Sequence, residues 1–556
     1  MTNHRSPIFE LSDTYITQSA ALSPMGSTYL GIPGQDHLLD DFSIAGAAKN
    51  ADLVRATLVK LKALTPIDEI DRISKAVMIE RLESGLELHD SQESHILWNV
   101  ITSPPSNIRQ IFEMMAHKSD ADFKNIAARL NAVEAAHKSW ISTISEMAMQ
   151  EKGKGIGKTT PQRQVRGVIA QLNGYANGGY SNFAKSVDPE SRYPDVHAAA
   201  KNAEASAAAT AKYLERDYLP IANPNDAFGA DRYAKWARYF TGAKLDLKAT
   251  YDWGVANLAE INKRMWEIAP LIKPGAKTLR EVADYLDHDP KYIIKGKDAI
   301  IKKLKDFTEA AVKQMDGTHF TIDDRIKFCD ARIAPEGSAS AAYYQSPSED
   351  LSRPGTTWLP ALGKDEFNWW HLASTWYHEA VPGHHLQCAT VALEQARLSR
   401  FQRTEAWCSG YGEGWALYAE RFMNELGAFD EPGIEMGYLS AQALRAARIV
   451  VDIGMHLGYQ DFDGNVWNAQ SGKALLSNQA LLDDAHSTSE IDRYLGWPGQ
   501  AISYKVGERV WMKTREDAKA RLGTNFDLKK YHSYALAMGP MGLDPFEAEM
   551  ANWDGK

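Results

Sequence analysis

Trp376-Tyr377-His378-Glu379-Ala380-Val381-Pro382-Gly383-His384-His385-Leu386-Gln387 places three histidines and a glutamate within eight residues. Neutral imidazoles hold a zinc ion, and a carboxylate beside them can take a proton from a metal-activated water. The pattern departs from H-E-x-x-H, because position 382, where the second histidine would fall, is proline. His384 lies six residues beyond His378 and His385 seven. At about 100° per residue, an unbroken helix would put His385, not His384, on the face of His378. Pro382 cannot donate to the carbonyl of His378, and its ring crowds that carbonyl. Gly383 tolerates the dihedrals that follow. Pro382-Gly383 therefore reads as a bulge between two helical halves, and a two-residue bulge restores the i, i+4 relation for His384. On geometry the two histidines compete; the spacing H-E-x-x-x-G-H favours His384.

A third ligand is expected from a following helix. Between Glu405 and Arg421 the chain carries Glu413 and Glu420, seven apart and hence on one helical face. Glu413 lies 29 residues beyond His384, the kind of position from which a glutamate completes a zinc site, with Glu420 and Glu405 as competitors. The expected centre is one Zn2+ held by His378, His384 and Glu413, with Glu379 as general base. Glu420, His385, Asp452 and His456 are read as residues supporting the ligands from behind, and Glu420 could instead pair with Arg421 or Arg448. Tyr504 and His532 lead the candidates for stabilising an oxyanion, ahead of Tyr534, Tyr343, Tyr344 and His456. Arg445, Arg448 and Asp452 share one helical face, either as a structural ion pair or as a clamp for a substrate carboxylate. Lys505 and Arg493 are alternatives for the clamp; Tyr343, Tyr344, Arg448 and Lys505 make up the expected substrate-binding set.

These residues need a scaffold, and the chain is long enough for several domains at 556 residues. It is 44% hydrophobic and 24% charged with a net charge of −10, ordinary for a globular protein and without the basic excess that nucleic acid requires. Three cysteines, Cys329, Cys388 and Cys408, are too few for a disulfide framework and lack the spacing of a structural zinc site. No apolar h-region follows Met1 to Pro7, and no run approaches a membrane span. The expectation is a cytoplasmic protein with no membrane or nucleic-acid partner, acting on a short peptide or small molecule; its oligomeric state is open, a homodimer being one option.

Apolar residues at three-to-four spacing predict helices over 50–63, 67–90, 121–150, 251–268, 278–286 and 296–316. Alanine alone favours helix over 198–214, as a surface or inter-helix element. Thr278 and Glu281 have the spacing of a capping box. Loops are expected at 152–162, 172–182, 219–230 and 333–366, with a short strand around Ala341 to Gln345 and a cleft-wall turn at Gly539 to Gly542. The Gly-Lys run at 152–158 reads as a flexible loop, since it lacks the phosphate-loop pattern. The fold class is mainly α with a few short strands. It divides into an N-terminal arm (1–40), an N-terminal helical region (41–230) and a C-terminal catalytic region (231–556), of which the last two could interleave into one body.

The stretch His378 to Gln387 resembles the signature of the bacterial domain-of-unknown-function 885 family. Arg445 to His456, Pro498 to Gly507 and Tyr343-Tyr344 support the likeness, which runs from about residue 40 to the C-terminus. The resemblance implies a large helical body like that of a zinc peptidase of the gluzincin type, with a deep central cleft. It does not name a substrate. The leading expectation is a zinc metallopeptidase for short peptides. The alternatives are a zinc hydrolase of a non-peptide amide or specialised metabolite, a non-haem iron enzyme built on two histidines and a carboxylate, and a non-catalytic helical protein with a structural metal.

Overall fold

A computed structural model describes residues 5–151, 159–335, 341–348 and 351–556; the Gly-Lys run at 152–158 lies outside them. The described residues are mainly helical, with five short strands among them. Each helix predicted from periodicity or from alanine content is present: Ile44–Ala63, Glu69–Asp90, Asp120–Glu151, Pro194–Tyr213, Leu247–Ile272, Leu279–His288 and Lys297–Met315. Thr278 caps the sixth of these, its hydroxyl accepting from Glu281 N at 3.2 Å. The return bond shifts by one residue, Glu281 accepting from Lys277 N rather than from the cap itself.

Two large apolar cores organise the chain, with two smaller clusters beside them among the described residues. One is built by Met25 together with residues between Trp98 and Ala222. The alanine-rich helix Pro194–Tyr213 lies at its centre, burying Ala199, Ala200, Ala203, Ala207 and Ala211. Small side chains there let the helix lie close to Asp120–Glu151. The segment 172–182, expected as a loop, instead continues the helix through a wide turn at Tyr175–Gly179 with one kink at Asn177 and Gly178. Burial of Tyr180 and Phe183 in this core outweighs the weak helix preference of Gly and Asn.

The larger core takes residues from both ends of the chain, Ile8 to Leu82 and Tyr233 to Trp553. Residues 1–40, expected as an arm, contain the helices Pro7–Leu22 and Pro24–Tyr29, and Tyr15 packs edge-on against Phe401 at 5.7 Å. The N-terminal region is thus divided between the two cores.

The strands are few and local. β1 (Ile293–Lys295) pairs antiparallel with β5 (Glu366–Asn368). β2 (Asp330–Ile333), β3 (Tyr343–Gln345) and β4 (Thr356–Leu359) form a sheet in the order β2-β4-β3, with β2 parallel and β3 antiparallel to β4. The expected strand around Ala341 to Gln345 is β3, an edge. β5 runs directly into the helix Trp369–Glu379, whose buried Trp376 bonds Thr308 Oγ1 at 3.0 Å. Four helices then surround the histidines: Trp369–Glu379, Ser409–Glu425, Pro432–Leu457 and Ser503–Leu522.

Ser409–Glu425 and Ser503–Leu522 meet backbone to backbone. A Cβ on Gly414 would overlap the main chain of Gly507. Alanine normally favours a helix over glycine by about 1 kcal/mol, so the sign of Gly414→Ala is diagnostic. The variant is expected to lose stability by about 1–3 kcal/mol through overpacking. Urea unfolding that shows equal or greater stability would mean that the two helices can part freely.

Candidate metal centre

The helix Trp369–Glu379 ends just after His378, and a new helix, His384–Leu393, begins at the second histidine. Between them the chain is not a bulge but a complete break. Gly383 N–H donates to Tyr377 O at 3.0 Å, and His385 N–H to Ala380 O at 3.1 Å, which folds the connection back on the helix end. Gly383 lies so close that a Cβ there would overlap the carbonyl oxygens of Tyr377 and His378. This is the physical reason for glycine before His384. The Trp415 indole N–H donates to the carbonyls of Pro382 and Gly383 at 2.9 and 3.1 Å, tying the break to Ser409–Glu425.

That tie brings His378, His384 and Glu413 together, with one donor atom of each lying within 4.8 Å of the others. Glu413 Oε2 is 3.2 Å from His378 Nε2 and 3.4 Å from His384 Nε2. The two rings are nearly perpendicular, at 88° with centroids 4.8 Å apart. Glu420, two turns beyond Glu413, accepts from His378 Nδ1 at 2.8 Å and is itself bonded by the Ser374 hydroxyl. Glu413 and Glu420 thus address the two nitrogens of one imidazole.

Burial disfavours a charged imidazole at His378, but the bonds from Glu413 and Glu420 outweigh it and push the ring up to about 9. Burial alone would raise Glu413; the two histidines instead hold it well below the usual carboxylate range. Glu379 is raised by burial, against the pull of His378 and His384. Arg445 lies 3.9 Å from Glu420 and is also felt by Glu379. Tyr504 stacks alongside His378 with centroids 6.4 Å apart at 19°, and burial raises its phenol.

The remaining predicted residues fall in different places. His385 turns away from the cluster: its Nε2–H donates to Ile326 O at 2.8 Å, and its Nδ1 accepts from the Tyr344 hydroxyl at 3.0 Å. Tyr343 packs flat against Trp358 at 6.2 Å. Arg448 is bonded to Glu490 and Tyr494, with its guanidinium 4.6 Å from the centre of the Tyr504 ring. It braces Tyr504 rather than offering a free clamp. Arg493 likewise bonds Glu490 and Gln500.

His532 is fully buried: its Nδ1–H donates to His319 O at 3.0 Å, its Nε2 accepts from Tyr418 at 2.7 Å, and its ring stacks on Phe320. Both nitrogens are spent in the core, so it is not placed to stabilise an oxyanion. Lys505 is buried against Glu508 and Gln442, with its ammonium satisfied inside the protein and not presented to a substrate. Asp452 accepts from Tyr233 at 2.7 Å and Gly499 N at 2.9 Å, and His456 donates to Tyr494 O at 3.0 Å. Neither supports a ligand of the cluster. Tyr534 bonds Glu69, and Glu405 accepts from Ser19 at 3.3 Å.

Three contributors escaped the sequence reading. Ser374 sits four residues before His378 on the same helical face, a legible spacing. Trp415 and Trp407, the latter 6.3 Å from His384, act through tertiary packing that no local pattern announces.

The chain belongs to the bacterial protein family of unknown function DUF885, whose model matches residues 24–550. A crystal structure described as a "putative lipoprotein" from Colwellia psychrerythraea shares the fold with a TM-score of 0.85 and 21% identity, over 98% of each chain. Another, described as a "putative lipoprotein of unknown function" from Shewanella oneidensis, has a TM-score of 0.77 and 18% identity over 98% of this chain and 100% of that one. No curated protein matches the chain. The expected cytoplasmic location is contradicted by these lipoprotein descriptions; it rested on the lack of an apolar h-region after Met1 to Pro7 and of a membrane-spanning run. No helix among the described residues is long and apolar enough to cross a membrane.

Two measurements follow from this geometry. For a cluster that holds zinc, Glu420→Gln is expected to weaken its binding about 10- to 100-fold while the fold is kept; unchanged affinity in a chelator competition would remove Glu420 as a support of His378. Asp452 is pushed by burial from its ordinary 3.8 up to about 7. A raised pKa means that the fold binds the proton more tightly, so the stabilisation is full below about 3.8 and gone above about 7. Asp452→Asn, which stays neutral, is expected to gain on the parent as pH rises through that window; parallel stability curves would refute it.

Proposed function

We propose that the chain is a zinc-dependent hydrolase, a metallopeptidase-like enzyme that cuts amide bonds of short peptides. The spacing of the donors carries this reading. Zinc in a tetrahedron of nitrogen and oxygen ligands needs donor pairs about 3.3 Å apart, and Glu413 Oε2 stands 3.2 and 3.4 Å from the two imidazole nitrogens. His378, His384 and Glu413 would hold one ion, and a set of three protein donors is that of a catalytic rather than a structural zinc site. When bound, zinc supplies an acidified water and polarises the carbonyl to be attacked.

The other roles belong to this chain's own side chains. Glu379, next to a ligand and raised by burial, takes the proton of the attacking water and returns it to the leaving amine. Tyr504, kept protonated by its surroundings and braced by Arg448, donates toward the charge that develops on the substrate oxygen. Short substrates are favoured because His378, Glu379 and His384 are all buried, out of reach of a folded protein surface. Two histidines and a carboxylate also suit non-haem iron; a carboxylate base adjoining a ligand favours hydrolysis.

The purified full chain is expected to carry one zinc and to cleave members of a short-peptide library read by mass spectrometry. Glu379→Gln should keep the metal and lose about 10²- to 10⁴-fold in rate. Full activity in that variant removes Glu379 as base, and a preparation that binds iron in preference to zinc overturns the hydrolase assignment.

A further inference from the structure

Beside the cluster lies a small cavity of about 170 Å³. Its walls include Pro347, Gln387, Val391, Ala392, Arg403 and Trp407. It shares structure with the metal centre in two ways. Gln387 is one helical turn beyond His384 on the same helix, and Trp407 both lines the cavity and packs 6.3 Å from the His384 ring.

Gln387 is the unusual member of this wall. It is 2% exposed, and both Oε1 and Nε2 of its amide are buried without a hydrogen-bond partner among the described residues. Buried polar atoms are normally paired, and leaving an amide unpaired at both ends is costly. A ligand group is one of the few partners that can complete such an amide.

We propose that this cavity is a side-chain pocket selecting a carboxamide, the side chain of glutamine or asparagine, by paired hydrogen bonds to Gln387. The assignment rests on the hydrolase reading of the neighbouring cluster. A carboxamide matches the two atoms with two parallel bonds: its N–H donates to Gln387 Oε1, and its oxygen accepts from Nε2. A carboxylate satisfies Nε2 and sets its charge against Oε1. A hydrocarbon leaves both unpaired. Val391, Ala392 and Pro347 suit the methylene stem. Arg403 brings a charge to the wall that would draw a carboxylate, so the two wall residues predict different winners.

The test is calorimetric binding to the full chain carrying Glu379→Gln, which slows turnover, using tripeptides of alanine with Gln, Leu or Glu at each position in turn. The best Gln peptide is expected to bind about 10-fold or more tighter than its Leu counterpart, which leaves the buried donor and acceptor unpaired. Adding Gln387→Met should bring the two within roughly two-fold by removing the unpaired atoms. Equal binding of Gln and Leu peptides, tightest binding of a Glu peptide, or binding of none of them overturns the proposal. If Gln387→Met fails to fold, the peptide series on the Glu379→Gln chain decides alone. Wild-type cleavage is scored separately. Selective binding without any cleavage sinks the hydrolase reading and leaves the pocket, whereas cleavage without selectivity sinks the pocket and leaves the hydrolase.

Discussion

One helix, Ser409–Glu425, reaches both nitrogens of one imidazole. Glu413 and Glu420 are two turns apart, and His378 lies across that interval. The remaining architecture serves this crossing. Glycine at 414 and 507 lets Ser409–Glu425 settle against Ser503–Leu522, which in turn carries Tyr504 to the side of His378. Ser374 holds the far oxygen of Glu420, and Arg445 offsets its charge. Without Glu420, the Nδ1 of His378 would be buried with no acceptor for its proton.

Much of this was legible in the sequence, and the reasons are physical. Long amphipathic helices such as Asp120–Glu151 and Lys297–Met315 declare themselves through a 3.6-residue period, because one face must be apolar to pack. The seven-residue interval between Glu413 and Glu420 and the run from His378 to His384 are likewise local patterns. What was not legible depends on partners distant in the chain. His532 looks like any histidine near aromatics until Phe320, Tyr418 and the His319 carbonyl close around it. Lys505 reads as a cation available to substrate until Glu508 and Gln442 draw it inward. At 172–182, glycine and asparagine argue for a loop, and only the burial of Tyr180 and Phe183 shows why the helix continues. Pro382-Gly383 was recognised as an interruption, but its form, a full stop and restart, follows from close packing against carbonyls that sequence spacing does not reveal.

The buried arginines show how a single residue type divides its labour. Arg448, Arg493, Glu490 and Tyr494 form a largely buried network in which the one carboxylate of Glu490 bonds both guanidinium groups and the Tyr494 hydroxyl. Such a network contributes little net stability, but it fixes orientation. Its outcome here is a guanidinium held against the Tyr504 ring, so that a tyrosine on a helix end has one preferred placement beside His378. Gln387 is the contrast: its polar atoms are left without the satisfaction that its neighbours obtain from within the chain.

Trp415 gives the centre a mechanical character. Its indole grips the two carbonyls at the break between the histidine helices, while its own helix carries Glu413 two residues earlier. The donors from both sides are therefore yoked through a single rigid ring. Because one ring ties the break to the helix that bears Glu413, the spacing among the three groups is set by that joint and not by either helix alone. The site is built as a jig.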